Sequence, residues 1–225
     1  MHEQGRLSAG LRAASNSNKQ GPRSGPTLGS YGPDGLLFVP STHLRRERYP
    51  LLVMLHGATY GARDSIEMTQ AAAKEHDFIV FAPKSQSKTW DLIVERSFGR
   101  DFNEINDAIE SLPDLYPIDP DNIAIGGFSD GASYALTLGL LNGHIFRNIL
   151  AFSPGFFVGD RVLGHPRIYI SHGRHDPVLP YDGCGSALAS TLTTNGYDVR
   201  FDPFEGGHEV PLAQVAAAAY WWLRN

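Results

Sequence analysis

The 225-residue chain contains a single cysteine, Cys184. One cysteine cannot form an intrachain disulfide or supply a cysteine-rich zinc or iron-sulfur site, so a disulfide scaffold and a cysteine-ligated metal centre are both excluded. An unpaired thiol is typical of a reducing compartment. We therefore expect a cytoplasmic protein.

Long apolar runs are also missing. The longest extends from Val215 to Leu223, and four of its nine residues are alanine. This is about half of the 18 or so residues that a membrane span needs. The amino terminus likewise has no apolar core of a secretory signal. The sequence therefore predicts no membrane span.

The charge balance is mildly acidic, with 19 basic and 24 acidic residues and a formal net charge of −5. This gives no electrostatic reason to expect a nucleic acid or an anionic membrane as a partner. Apolar residues make up 42% of the chain and charged residues 19%, so a globular core is expected.

Residues 1–30 differ in composition from the rest of the chain. Twelve of them are Gly, Ser or Pro, and the segment contains four basic residues but only one acidic residue. Such a segment cannot bury enough apolar surface to offset the entropy lost on ordering. We predict a flexible basic arm over residues 1–30, with a basic docking or targeting segment as the alternative. Residues 31–225 are predicted to form one domain.

Short apolar runs alternate with helical spacing in that domain. The predicted strands are 36–39, 51–55, 78–82, 123–126, 149–152, 168–171 and 199–204. The predicted helices are 65–76, 101–115, 131–141, 186–195 and 212–223. This alternation indicates an α/β fold with a mostly parallel central sheet and helices on both faces. In such sheets the functional site lies at the carboxyl ends of the strands.

A glycine-rich motif around Ser129 predicts a nucleophile. Residues 127–131 read Gly-Phe-Ser-Asp-Gly, which fits G-x-S-x-G, between predicted strand 123–126 and predicted helix 131–141. A strand, a sharp turn and a helix in this order form the nucleophile elbow, where the serine has a strained backbone and a raised hydroxyl. The flanking glycines fit because so tight a turn leaves no room for β-carbons.

Ser129 would need a base and an acid, since a serine hydroxyl is a weak nucleophile at neutral pH. Asp176 lies in the loop after predicted strand 168–171, and His208 in the loop after predicted strand 199–204. The chain order Ser, Asp, His is that of the α/β-hydrolases. We predict that these three residues form a catalytic triad.

Residues 56–59 read His-Gly-Ala-Thr and directly follow predicted strand 51–55. Such enzymes place one oxyanion-hole N–H after this early strand and the other on the residue after the nucleophile. We predict the backbone N–H groups of Ala58 and Asp130 as donors, with Thr59 as the alternate. The histidine of this run is interpreted as a residue whose ring pins the loop.

These motifs resemble those of the phospholipase/carboxylesterase type of α/β-hydrolase, a group of small serine esterases. The resemblance is carried by LLVMLHGATYG at 51–61, NIAIGGFSDGASYAL at 122–136, ISHGRHDPVLP at 170–180 and FEGGHE at 204–209. It implies an α/β-hydrolase fold in which Ser129 is the nucleophile, Asp176 the acid and His208 the base. The chain departs from the pattern at Ala58-Thr59, where relatives often carry another glycine or a bulky apolar residue.

Competing interpretations concern the acid, a metal site and the thiol. Asp182 is the alternative acid, although it lies farther past the strand end. Four histidines could be imagined as zinc ligands, namely His56, His172, His175 and His208. No H-E-x-x-H or comparable ligand spacing occurs, so we expect no metal and no cofactor. Cys184 follows no predicted strand and lies in no elbow, so it is not the nucleophile.

Three aromatic residues after predicted strands, Trp90, Phe156 and Phe157, are candidates for a substrate pocket, with ordinary packing as the alternative for each. Together they favour an apolar acyl group. The expected function is hydrolysis of short- to medium-chain carboxylic esters, with a small-molecule ester as the partner. A thioesterase would use the same machinery, and a catalytically silent binding protein is the alternative from another class. No segment between predicted strands is long enough for a large cap domain.

Overall fold

The computed structural model describes residues 5–8, 26–40, 47–159 and 162–224. Its strands are β1 (Thr27–Tyr31), β2 (Gly35–Val39), β3 (Tyr49–Leu55), β4 (Ile79–Ala82), β5 (Ile118–Phe128), β6 (Asn148–Phe152), β7 (Arg167–Gly173) and β8 (Val199–Phe204). Its helices are α1 (Ala62–His76), α2 (Asp91–Val94), α3 (Arg100–Leu115), α4 (Asp130–Leu141), α5 (Ala187–Thr194) and α6 (Leu212–Leu223). A π-helical turn over Asp182–Ser186 directly precedes α5.

The eight strands form one sheet in the order β1-β2-β4-β3-β5-β6-β7-β8. β2 pairs antiparallel with both β1 and β4, and every other neighbouring pair is parallel. The carboxyl ends of β3 to β8 therefore meet at one edge of the sheet. The loops after these strands are brought together there.

Side chains on the central strands alternate between two cores, as the pleat of a strand requires. In β3, Leu51, Val53 and Leu55 belong to one core, to which α3, α4 and α5 contribute apolar side chains. Leu52 and Met54 belong to the other core, which α1 and α6 cover. The predicted α/β class with helices on both faces is confirmed.

The seven predicted strands are all present, but β1 was missed. β1 is an edge strand whose residues are exposed or only half-buried, so it has no apolar run by which to recognise it. It pairs with β2 across a turn at residues 32–34. Within the described residues, no helix is long and apolar enough to cross a membrane.

The amino-terminal segment corrects the prediction of a flexible arm over residues 1–30 in two places. Residues 27–31 form β1, and residues 5–8 pack on the domain. The Leu7 side chain is only 7% exposed, and its N–H donates to Asn142 Oδ1 at 2.9 Å. The Asn142 amide donates in turn to the Gly5 carbonyl at 2.7 Å. Residues 1–4 and 9–25 of the predicted arm lie outside the described residues.

Replacing Leu7 by alanine is expected to lower the free energy of unfolding by about 2 kcal/mol, because a buried leucine side chain is lost from the core. Urea unfolding of the full chain measures this. Leu28→Ala in β1 is the matched control, since Leu28 is 45% exposed and its truncation removes little buried surface. Equal effects of the two variants would show that residues 5–8 do not contribute to the folded core.

Candidate active site

Ser129 lies at a sharp turn between the end of β5 and the start of α4. Its backbone has φ 55° and ψ −119°, a conformation that non-glycine residues rarely adopt. A β-carbon at Gly127 would lie 2.3 Å from the Gly131 carbonyl carbon, and one at Gly131 would lie 2.4 Å from the His56 oxygen. The two motif glycines are thus required by close backbone contacts.

A continuous chain of hydrogen bonds joins three loops at this edge of the sheet. His208 Nε2 lies 2.8 Å from Ser129 Oγ, and His208 Nδ1 lies 2.6 Å from Asp176 Oδ2. With the proton on Nδ1 donated to Asp176, Nε2 is free to accept the serine hydroxyl proton. The structure therefore brings the three residues predicted as a triad into hydrogen-bond contact.

The Asp176 carboxylate is fully buried and accepts hydrogen bonds on both oxygens. Its Oδ1 accepts from the backbone N–H groups of Val178 and Leu179, each at 2.8 Å. Burial acts to raise the pKa of Asp176, but the hydrogen bonds from His208 and these two N–H groups hold that pKa below its usual value. Asp182, the alternative acid, is exposed in the π-helical turn, and the carboxylate that contacts His208 is that of Asp176.

The Phe128 ring packs against the His208 imidazole, with 4.8 Å between ring centroids. Phe128 is the variable residue before the serine in the motif, so no pattern in the sequence singled it out. Its ring also meets Tyr60 edge-on, with the centroids 6.3 Å apart. Phe128 therefore links His208 to the loop after β3.

That loop forms a tight turn beside the serine. The Tyr60 N–H donates to the Gly57 carbonyl at 3.2 Å, and a β-carbon at Gly57 would lie 3.4 Å from Ser129 Cβ. Within the part of the chain that is described, the N–H groups of Ala58 and Asp130 have no hydrogen-bond partner. Both remain candidate oxyanion donors.

Thr59, the alternate donor, is corrected by the structure. Its N–H donates to the Lys88 carbonyl at 2.7 Å and is therefore already occupied. Thr59 has φ 68°, a positive value that is expected at the third position of a turn over residues 57–60. In such a turn the peptide between the second and third residues is rotated relative to the peptides on either side. The turn thus directs this N–H toward Lys88 and leaves that of Ala58 unpaired.

The His56 ring holds the same turn from the core side. Its Nδ1 lies 2.8 Å from the Gly57 carbonyl oxygen, and its Nε2 accepts the Ser85 N–H at 3.0 Å. Only a neutral ring with its proton on Nδ1 satisfies both contacts. Burial lowers the pKa of His56, in agreement with the neutral form. The predicted pinning of the loop agrees with these contacts.

Trp90, a predicted pocket residue, is instead a buried support of this loop. Its side chain has no exposed surface, so it cannot contact substrate in this structure. Its indole N–H donates to the His56 carbonyl at 2.9 Å, and its ring packs between those of His56 and Tyr134. The place of a tryptophan after a strand does not by itself indicate whether the side chain lines a substrate pocket or supports a loop from the core.

Two buried carboxylates that the sequence analysis missed anchor the segment 85–91. Asp101 accepts the N–H groups of Gln86 and Asp91, at 2.9 and 2.8 Å. Asp91 accepts the Tyr134 hydroxyl at 2.8 Å and three backbone N–H groups at the start of α3. The segment that contacts His56 and Thr59 is thereby fixed to α3 and α4.

Exposed apolar side chains follow four of the strands whose carboxyl ends meet at this edge of the sheet. They are Tyr60 after β3, Phe156 after β6, Val178 after β7 and Leu212 after β8. Phe156 therefore remains a candidate for substrate contact. Phe157 is half-buried and packs on the core. This edge of the sheet therefore carries exposed apolar side chains.

Comparison with known proteins identifies relatives that are similar to this chain in sequence. S-formylglutathione hydrolase of Rattus norvegicus is 30% identical over 129 residues, covering 47% of this chain and 46% of the relative. Acyl-protein thioesterase 1 of Neurospora crassa is 31% identical over 110 residues, covering 44% of each. The chain thus spans less than half the length of these curated relatives.

Solved structures agree in fold. A ferulic acid esterase from Anaeromyces mucronatus, solved in complex with ferulic acid, has a TM-score of 0.67 and 18% identity, covering 94% of both chains. The predicted α/β-hydrolase fold is confirmed, and the described residues contain no large cap between the strands. The phospholipase/carboxylesterase family matches residues 84–221, a segment that contains Ser129, Asp176 and His208. Because this match extends over more than half of its length, the chain belongs to the phospholipase/carboxylesterase family.

Proposed function

We propose that the protein hydrolyses carboxylic esters through an acyl-enzyme formed on Ser129. The observation that carries this proposal is the continuous hydrogen-bond chain from Asp176 through His208 to a serine in a strained elbow. Membership of the phospholipase/carboxylesterase family supports the same reaction class. The protein needs no cofactor for this chemistry, and its unpaired cysteine supports action in the cytoplasm.

In the acylation half, His208 Nε2 takes the Ser129 proton as Oγ attacks the ester carbonyl carbon. The carbonyl π electrons move to oxygen, and the resulting oxyanion is stabilised by the N–H groups of Ala58 and Asp130. The ionised Asp176 stabilises the imidazolium that forms. The tetrahedral intermediate then collapses, and the imidazolium gives its proton to the departing alkoxide.

In the deacylation half, water takes the place of the alcohol. His208 Nε2 removes a proton from water, whose oxygen attacks the acyl carbon, and the second tetrahedral intermediate releases Ser129 as the leaving group. The imidazolium returns its proton to Ser129 Oγ. The products are a carboxylic acid and the enzyme in its starting state.

The expected substrates are esters of short to medium acyl chains. Each methylene of the acyl chain adds about 0.8 kcal/mol of binding free energy only if it is transferred out of water. An open apolar surface without a cap can bury only the first few methylenes of the chain. We expect kcat/KM for p-nitrophenyl esters to peak at roughly two to eight acyl carbons. A maximum on long-chain triglycerides with activation at an oil-water interface would contradict this expectation.

A thioesterase activity is the second candidate, favoured by the similarity to acyl-protein thioesterase 1. The same nucleophile and oxyanion donors would serve, because only the leaving atom differs between an ester and a thioester. Rates on an ester and a thioester with the same acyl group separate the two. A higher kcat/KM on the thioester would assign the protein to this second class.

The proposed function is tested by fluorophosphonate labelling of the full chain, with mass-spectrometric mapping of the modified residue. We expect one label, on Ser129, together with turnover of the graded esters. A chain that takes up no label and turns over neither esters nor thioesters would be a catalytically silent binding protein with this fold. That result would overturn the proposal.

A further inference from the structure

His172 is a buried histidine near the end of β7 that the proposed mechanism does not use. Its side chain and that of Asp176 have no exposed surface. Its Nε2 lies 2.8 Å from the Leu179 carbonyl oxygen and 3.3 Å from Asp176 Oδ2. The Leu179 carbonyl has no proton and is the hydrogen-bond acceptor, whereas Asp176 Oδ2 is a close neighbour of Nε2 without a hydrogen bond to it. The Nε2 atom must therefore carry a proton.

The other ring nitrogen faces no partner. Nδ1 of His172 is buried, and no hydrogen-bond partner reaches it from the described residues. Gly185 of the π-helical turn packs directly on it, since a β-carbon there would lie 2.4 Å from Nδ1. A second proton on Nδ1 would be buried without an acceptor, which is costly. The geometry thus favours a neutral ring that donates only through Nε2.

We propose that His172 is a positioning residue that holds the loop of the triad acid in place through its Nε2–H bond to the Leu179 carbonyl. The Asp176 Oδ1 atom accepts from the two N–H groups of its own loop, whereas Oδ2 is hydrogen-bonded to His208 and lies 3.3 Å from His172 Nε2. By donating to the Leu179 carbonyl, His172 fixes the far end of that loop to β7. This inference rests on the proposed role of Asp176 in ester hydrolysis.

The contact has an electrostatic consequence for the base. The positive end of the Nε2–H dipole lies 3.3 Å from Asp176 Oδ2 and favours the charged carboxylate, so loss of this N–H leaves the Asp176 charge less neutralised. That charge then stabilises the His208 imidazolium more strongly. The other titratable groups facing this cluster are Tyr181, edge-on to the His172 ring, and Cys184, whose pKa is raised by burial and by the Asp176 charge.

A pair of amide variants tests the donor. His172→Asn is too short to bring its amide to the Leu179 carbonyl, whereas His172→Gln places an amide nitrogen near the position of Nε2. We expect His172→Asn to lower kcat by about 10- to 100-fold with little change in KM, because a misplaced acid misorients the base. We also expect the acid limb of its kcat/KM profile to move to higher pH. His172→Gln should recover most of both effects.

Equal losses in the two amide variants, with the acid limb unmoved, would mean that His172 only fills space and would overturn the proposal. A second pair perturbs the ring without changing the histidine. Gly185→Ala forces a β-carbon against Nδ1, whereas a β-carbon at Gly183 in the same turn meets nothing within 4 Å. We expect a reduced kcat in Gly185→Ala alone, and equal activity of the two alanine variants would contradict the inference.

Nitrogen-15 NMR of the histidine rings gives a readout that does not depend on activity. Comparison of the wild-type chain with His172→Asn assigns the His172 signals, and their shifts report which nitrogen carries the proton. A proton on Nε2 alone at pH 7 is expected. A proton on Nδ1, or on both nitrogens, would overturn the inference even in an active enzyme. Absence of any hydrolysis by the wild-type chain would overturn the proposed function and leave this measurement to decide the tautomer.

Discussion

Ser129→Ala is expected to lower kcat for ester hydrolysis by on the order of 10⁶-fold and to abolish fluorophosphonate labelling. The physical reason is that no other hydroxyl contacts His208 Nε2, among the residues that the structure describes. Only residual stabilisation by the backbone N–H donors would remain. Steady-state rates on the preferred p-nitrophenyl ester measure the loss, and thermal unfolding verifies that the variant is folded.

Ser153→Ala is the matched control for this loss. Ser153 is also buried, follows the end of a strand directly and has a positive φ of 51°, but it has no histidine partner. We expect near wild-type labelling and turnover in this control. A label that maps to Ser153, or most of the activity surviving in Ser129→Ala, would show that the nucleophile has been assigned wrongly.

Asp176→Asn is expected to lower kcat by up to about 10⁴-fold, as in the known case of a triad acid replaced by its amide. An amide NH₂ facing His208 Nδ1 would force that nitrogen to act as an acceptor. The ring proton would then lie on Nε2 and point at Ser129 Oγ, so the base could no longer accept the serine proton. The measurement is single-substrate kinetics of the purified variant at neutral pH.

Asp182→Asn is the control, because Asp182 is exposed and was the alternative acid from the sequence. Its replacement should change kcat by less than about twofold, as is usual for a surface position outside the site. If Asp182→Asn lost activity while Asp176→Asn retained it, the acid would have to be reassigned to the π-helical turn.

The features of the site that could be predicted from the sequence are those determined by residues that are neighbours in the chain. The motif around Ser129 encodes its own turn, because the flanking glycines and the adjoining strand and helix are neighbours in the chain. Asp176 and His208 could be predicted because each directly follows a recognisable strand. In a parallel sheet such positions converge at one edge without any knowledge of the intervening loops.

The parts that were missed depend on contacts between distant segments. Trp90 is buried because segment 85–91 folds onto the loop after β3, and this packing is held by Asp91 and Asp101. Nothing in the local pattern distinguishes such carboxylates from exposed ones. Leu7 was missed because it lies in a segment rich in Gly and Ser. Its hydrogen-bond partner Asn142 is 135 residues away in the sequence, so no local pattern indicates the contact.

The buried neutral ring of His56 couples proton uptake to unfolding. Its pKa in the folded chain is lowered from the ordinary value of 6.5 by burial, while an unfolded chain has the ordinary value. Below about pH 6.5 the unfolded chain therefore binds a proton at His56 more readily than the folded chain does. The free energy of unfolding consequently falls as the pH is lowered. Acidification thus weakens the folded state of the protein at the residue that holds the loop after β3.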